Sequence, residues 1–187
     1  MLTAASQRRS NAASQHRSNI GPTIVMGVSG CGKSSVGQAI AAHFGVPFIE
    51  GDALHPLKNI AKMSSGTSLN DDDRWPWLDI VAAKLGSEGL AHGGAVASCS
   101  SLKRIYRDRL EAGAGVDTKF IFLNCTRETL ERNQSARKGH FMPPALLDSQ
   151  LKTLEPPVGE ARAIWIDGNQ SFEIVIASII QALTAEG

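Results

Sequence analysis

The chain has 187 residues, the size of one domain. Hydrophobic residues make up 42% and charged residues 20%, which suffices for a buried core and excludes wholesale disorder, and no apolar run reaches the length of a membrane span. The net charge of +1 argues against nucleic acid or an anionic membrane as partner, yet it is uneven: the four charged residues before Glu50 are all cations (Arg8, Arg9, Arg17, Lys33), leaving 15 cations against 18 acids in the rest.

Residues 1–21 are rich in Ala, Ser, Gln, Asn and Arg and hold a near-exact tandem duplication, AASQRRSN over 4–11 and AASQHRSN over 12–19. Such a segment buries too little apolar surface to offset its ordering entropy, so it reads as a disordered extension ahead of a folded domain over 22–187. A Ser/Arg-rich, acid-free start also resembles an organellar transit peptide, although the apolar face is thin. Three cysteines, Cys31, Cys99 and Cys125, make no complete disulfide set and no CxxC pair, which fits a reducing cytoplasm.

The elements then follow in order. Thr23–Met26 reads as a buried strand, and Val36, Ile40 and Phe44 at helical spacing define a first helix stopped by Gly45 and Pro47. Residues 47–50 form a second strand. Asp71–Asp73 followed by Pro76 predicts a helix start with Pro in its first turn, and Leu78, Val81 and Leu85 give that helix its apolar face. Strands are predicted over 95–98, 119–123 and 163–166, and a last amphipathic helix carries Phe172, Val175, Ile179 and Leu183. Alternation of strand and helix implies a parallel sheet covered on both faces.

Gly27-Val28-Ser29-Gly30-Cys31-Gly32-Lys33-Ser34 matches G-x-x-x-x-G-K-[ST] in full, after a strand and at a helix start. The glycines let backbone N–H groups curl inward around phosphate, the helix N-terminus adds positive potential, Lys33 reaches the outer phosphates and the Ser34 hydroxyl can ligate Mg²⁺. This identifies a nucleotide-phosphate binder without choosing a reaction. Cys31 reads as a small loop filler, with a redox-active thiol as the sharper alternative.

Candidates for the acceptor side follow the second strand. Asp52 is placed to take a proton from an acceptor hydroxyl or to meet Mg²⁺, and a turn or cap aspartate is an equal reading. Arg74, beside three aspartates, reads as a solvated surface cluster or as a bidentate carboxylate binder. Lys103 and Arg107, four apart, read as an exposed helix face or as a cationic wall. Arg127, Arg132, Arg137, Lys138 and His140 read as a basic helix surface or as a flap over the transferring phosphate.

The blocks MGVSGCGKSS, GDALHPLKNIAKMSSGTSLNDDDRWPWL, CSSLKRIYRD and RKGHFMPPALLDSQLKTLEPP together resemble the gluconokinase family, in order over nearly the whole core. The resemblance implies a single-domain, three-layer α/β/α phosphate-loop kinase, similar to shikimate and adenylate kinases, with a five-stranded parallel sheet and a small lid. It implies ATP- and Mg²⁺-dependent phosphorylation of D-gluconate to 6-phosphogluconate, feeding carbohydrate acid catabolism, in a cytoplasmic homodimer. By position, Gly27 to Ser35 hold the ATP phosphates, with Lys33, Asp52 and Arg137 catalytic and Ser34 and Asp52 at the metal. Asp52, His55, Asn59, Arg74, Lys103, Arg107 and His140 contact the acceptor, Arg137 and His140 fall in the lid, and adenine lies near residues 167–169. Two departures stand out: Cys31 where the family usually has Ser, and Asn133 where it commonly has Arg, so that either Arg132 takes that role or the adenine side is held more weakly. A kinase for shikimate, another sugar acid or a nucleoside monophosphate, and a nucleotide-binding regulatory subunit without catalysis, are the alternatives.

Overall fold

A computed structural model describes residues 20–136 and 144–185. In chain order these form β1 (Gly21–Met26), α1 (Lys33–Phe44), β2 (Phe48–Glu50), a 3-10 turn (Gly51–Leu54), α2 (Leu57–Ser64), α3 (Asp71–His92), β3 (Gly94–Ser98), α4 (Arg104–Ala114), β4 (Lys119–Asn124), α5 (Arg127–Ser135), α6 (Pro144–Thr153), β5 (Ala163–Asp167) and α7 (Phe172–Ala185). The five strands make one parallel sheet in the order β2-β3-β1-β4-β5. β1, β3 and β4 lie inside it and are almost wholly buried, which is why their sequences are continuous apolar runs instead of alternating ones. α1 and α7 pack together against the sheet, and α3 pairs with α4 against β3 and β1.

Every strand runs the same way, so the carboxyl ends of β1, β2 and β3 reach one edge together, and the phosphate loop and the 3-10 turn both leave from that edge. In an open α/β sheet this edge is where ligands bind. Trp77 of α3 helps to build it. Its ring is 1% exposed, and its indole N–H donates to the Gly51 carbonyl at 2.8 Å, joining the main helix to the turn after β2. Gly51 itself approaches β3 so closely that a Cβ there would sit 2.0 Å from the Ser98 carbonyl oxygen. No side chain fits without separating β2 from β3.

Three sequence expectations are corrected. Ile20 is 2% exposed and Gly21 pairs with Gly94, so residues 20 and 21 belong to the fold and not to the extension expected over 1–21; residues 1–19 lie outside the described residues. Pro76 sits in the second turn of α3, because the helix starts at Asp71 behind a reciprocal cap in which Asn70 and Asp73 exchange side-chain to backbone bonds, both at 2.9 Å. Lys103 and Arg107 do not share a helix face: α4 starts at Arg104, and Lys103 is its extended cap residue. Arg107 turns inward, fully buried, and its guanidinium is taken by Glu160 and the carbonyl of Ser101 at 2.9 Å. Glu160 is held well below the usual carboxylate range, chiefly by that Arg107 contact. Removing one partner of such a buried pair costs about 3–5 kcal/mol, so Arg107 ties residues 154–163 to α4 instead of lining an acceptor wall.

Candidate active site

The phosphate loop leaves β1 at Met26 and enters α1 at Lys33. Gly30 shows why its sequence is restricted. Its φ is +94°, and a Cβ would meet the Leu130 carbonyl oxygen of α5 at 2.9 Å, so conformation and space both demand glycine. The Lys33 ammonium bends back across the loop and donates to the Val28 carbonyl at 3.1 Å, with no carboxylate partner among the described residues. Ser34 and Ser35 follow in the first turn of α1, where the helix dipole favours an anion. Cys31 is 5% exposed and its sulfur packs beside Gly27, so it fills the loop; all three cysteines are free thiols.

On the acceptor side the turn after β2 is braced from below. Ser98 Oγ accepts from the Gly51 N–H at 3.1 Å and donates to Glu50 Oε1. Asp52, one residue on, is exposed, and its carboxylate makes no hydrogen bond or ion pair among the described residues. Cys99, buried at the end of β3, lies within electrostatic reach of both Asp52 and Lys33. Burial pushes the Cys99 thiol up to about 11.

Beyond Asp52 lies a compact polar cluster. His55 is 9% exposed and stacks on Trp77, with ring centroids 4.0 Å apart and 19° between planes. Burial lowers its pKa to about 4, opposed by nearby Asp52 and assisted by Arg74, so the ring is neutral at pH 7. Asn59 of α2 is fully buried; its Nδ2 donates to the Asp73 carbonyl at 2.7 Å and lies 3.4 Å from His55 Nδ1. Its Oδ1 is buried with no donor among the described residues.

Arg74 is 9% exposed and lies over the Tyr106 ring, 5.7 Å from its centroid. The three neighbouring aspartates do not neutralise it. Asp71 accepts from Lys103 at 2.8 and 2.9 Å and from the Tyr106 hydroxyl, and Asp73 takes the Lys62 ammonium. Both carboxylates fall below the usual range for that reason. Arg74 thus keeps a guanidinium without an ion pair among the described residues, whereas Lys103, expected as an acceptor cation, is already matched by Asp71.

The basic stretch divides as well. Arg127 pairs with Glu131 at 3.2 Å and Asp148 at 2.6 Å. Arg132 leans on Thr129 of its own helix at 3.4 Å, while Asn133 donates to the Gly30 carbonyl at 2.9 Å, so the Asn occupies the loop-facing position and Arg132 does not turn into it. Arg137, Lys138 and His140 lie outside the described residues. Asp167–Asn169 close a turn that joins β5 to β4: Asn169 Oδ1 accepts from the Thr126 N–H at 2.9 Å and the Gly168 N–H donates to the Asn124 carbonyl at 2.9 Å. Ser98, Tyr106 and the amide side chains at 133, 134 and 150 gave no local signal, since each acts through a residue distant in the chain.

A complete phosphate loop leaving the carboxyl edge of a five-stranded parallel sheet, with Asp52 on the turn that leaves the same edge, is the arrangement of a phosphate-loop kinase. A family model described as an AAA domain matches residues 23–157. The chain is 42% identical over 163 residues to a gluconokinase from Gluconobacter oxydans, covering 87% of this chain and 91% of that one, and 40% identical over 161 residues to the thermoresistant gluconokinase of Escherichia coli, covering 86% and 91%. The crystal structure of a gluconokinase from Sinorhizobium meliloti superposes with a TM-score of 0.80 at 49% identity, over 88% of this chain and 92% of that one. The chain belongs to the gluconokinase family.

Proposed function

We propose that the protein transfers the γ-phosphoryl group of ATP to the terminal hydroxyl of D-gluconate, releasing 6-phosphogluconate and ADP. Arg74 carries this reading. An arginine that is nine-tenths buried without an ion pair among the described residues is costly to keep, and its planar fork matches a carboxylate bidentately. Neutral His55, within electrostatic reach of Arg74, supplies a hydroxyl-directed group, and a polyhydroxy acid is a ligand class that suits both. The names of the relatives point to the same acceptor.

The division of labour follows from placement. The loop N–H groups and Lys33 bind and orient the phosphates; the lysine exchanges its Val28 carbonyl for phosphate oxygen. Asp52 accepts the proton of the acceptor hydroxyl as its oxygen bonds to phosphorus and the bond to ADP breaks. His55, stacked on Trp77, fixes one wall without adding charge. Ser34 and Asp52, neither of whose side chains has a hydrogen-bond partner among the described residues, would hold Mg²⁺ directly or through water. Mg²⁺ in such kinases takes most of its ligands from phosphate and water. When bound, Mg²⁺ neutralises phosphate charge.

The family resemblance also supports a homodimer, to be checked by sedimentation, and three free thiols fit a reducing cytoplasm. No described helix is long and apolar enough to cross a membrane. The deciding test is ADP release over a panel of D-gluconate, other sugar acids, shikimate and nucleoside monophosphates with ATP and Mg²⁺. Turnover confined to gluconate supports the assignment; preference for another acceptor, or none above background, refutes it.

A further inference from the structure

A loop that turns its N–H groups toward phosphate aims some carbonyls outward, and each of these needs a donor. Here two such carbonyls and one outward N–H find their partners in three amide side chains from outside the loop. Gln134 Nε2 donates to the Ser29 carbonyl at 3.0 Å, Asn133 Nδ2 donates to the Gly30 carbonyl at 2.9 Å, and the Ser29 N–H donates to Gln150 Oε1 at 2.7 Å. Asn133 and Gln134 are consecutive in the last turn of α5, and Gln150 lies on α6, 121 residues from its partner. All three are half-buried. The Gly30 backbone is pressed against α5, so the loop rests on this surface and does not hang free.

We propose that Asn133, Gln134 and Gln150 are positioning residues that clamp the outer face of Ser29-Gly30 and hold the loop open for the phosphates of ATP. Amides suit the task. They supply two donors and one acceptor without placing charge beside a polyanion. A carboxylate there would repel ATP. The commitment of Asn133 to Gly30 also explains the departure at this position: its side chain serves the loop. The proposal rests on the reading of the loop as a nucleotide site, not on the identity of the acceptor.

Because each amide has a fixed donor or acceptor role, the test has a signed outcome. ATP affinity is measured by direct titration without acceptor, and KM for ATP and for gluconate by steady-state turnover, in Asn133→Leu, Gln134→Met and Gln150→Met. Each is expected to weaken ATP about 3- to 10-fold, the worth of one neutral hydrogen bond, while gluconate KM stays within twofold of the parent. Two isosteric variants separate the bond from the charge. Gln150→Glu keeps an acceptor for the Ser29 N–H, whereas Gln134→Glu loses its donor, so Gln134→Glu weakens ATP more. Unchanged ATP affinity in the three apolar variants, equal losses in the two Glu variants, or gluconate KM rising in parallel would each overturn the clamp. A parent protein that binds no ATP would overturn the reading of the loop and the clamp with it; a parent that binds ATP as its variants do overturns the clamp alone.

Discussion

At the proposed phosphate end of the site, eight consecutive residues, Gly27 to Ser34, run from the end of β1 into the first turn of α1, and most of the groups they would offer are backbone N–H groups. At the proposed acceptor end, single side chains come from the 3-10 turn and the residue after it, α2, α3 and α4: Asp52, His55, Asn59, Arg74 and Tyr106. The charge is managed differently too. Among the described residues Lys33 has only a carbonyl partner, while the proposed acceptor end begins with three cations and spends two of its aspartates on lysines, leaving Arg74 as the cation without an ion pair. A backbone-built site needs a local conformation and tolerates Cys31. A side-chain-built site needs tertiary registration, so its specificity depends on which charges are already matched.

Four changes probe this contrast. Lys33→Met should have the largest effect, lowering kcat by about a thousandfold or more with an unaltered melting temperature, because the transferring phosphate loses its cation. Near-normal kcat would mean the loop is not where phosphoryl transfer occurs. Asp52→Asn should lower kcat about 10²- to 10³-fold while ATP affinity is preserved. If gluconate turnover is unaffected, Asp52 is a turn residue and not the base. A paired comparison comes next. Arg74→Ala should raise gluconate KM about 10- to 100-fold without changing KM for ATP, the loss of a charge-assisted bond. Lys103→Met, whose partner is Asp71, should change it by only a few-fold. Reversal of that order would place the carboxylate at Lys103.

The smallest effect concerns stability. The unfolded chain protonates His55 near its ordinary value of 6.5, but the folded protein resists until about 4. Between those values the unfolded state binds more protons, so stability falls as pH drops through that window. His55→Gln, which keeps the volume without the titration, should show a shallower fall in unfolding free energy from pH 6.5 to 4. Identical slopes would mean that the stacked imidazole protonates freely in the fold.

The same contrast explains what could be read from the sequence. The five strands, the helix faces at Val36, Ile40 and Phe44 and at Leu78, Val81 and Leu85, and the entire phosphate loop are local patterns, and all of them appear in place. Acceptor residues could be proposed by type but not arranged. Nothing near Arg74 in sequence tells that Asp71 faces Lys103 and Asp73 faces Lys62, since those pairs span 32 and 11 residues. Arg107 reads from the sequence as a surface cation because nothing near it shows its partner, Glu160, 53 residues away. The braces at Ser98 and Gln150 are longer-range still, 47 and 121 residues from their partners.

The carboxylate of the acceptor is the feature on which the account turns. The direct measurement is kcat/KM with D-gluconate and with D-glucitol, which carries a hydroxymethyl group in place of the carboxylate, in the parent and in Arg74→Ala. The account predicts a preference for gluconate of at least about a hundredfold in the parent, most of which is lost in the variant. Equal use of the two acceptors by the parent, or a preference that survives removal of Arg74, would contradict it.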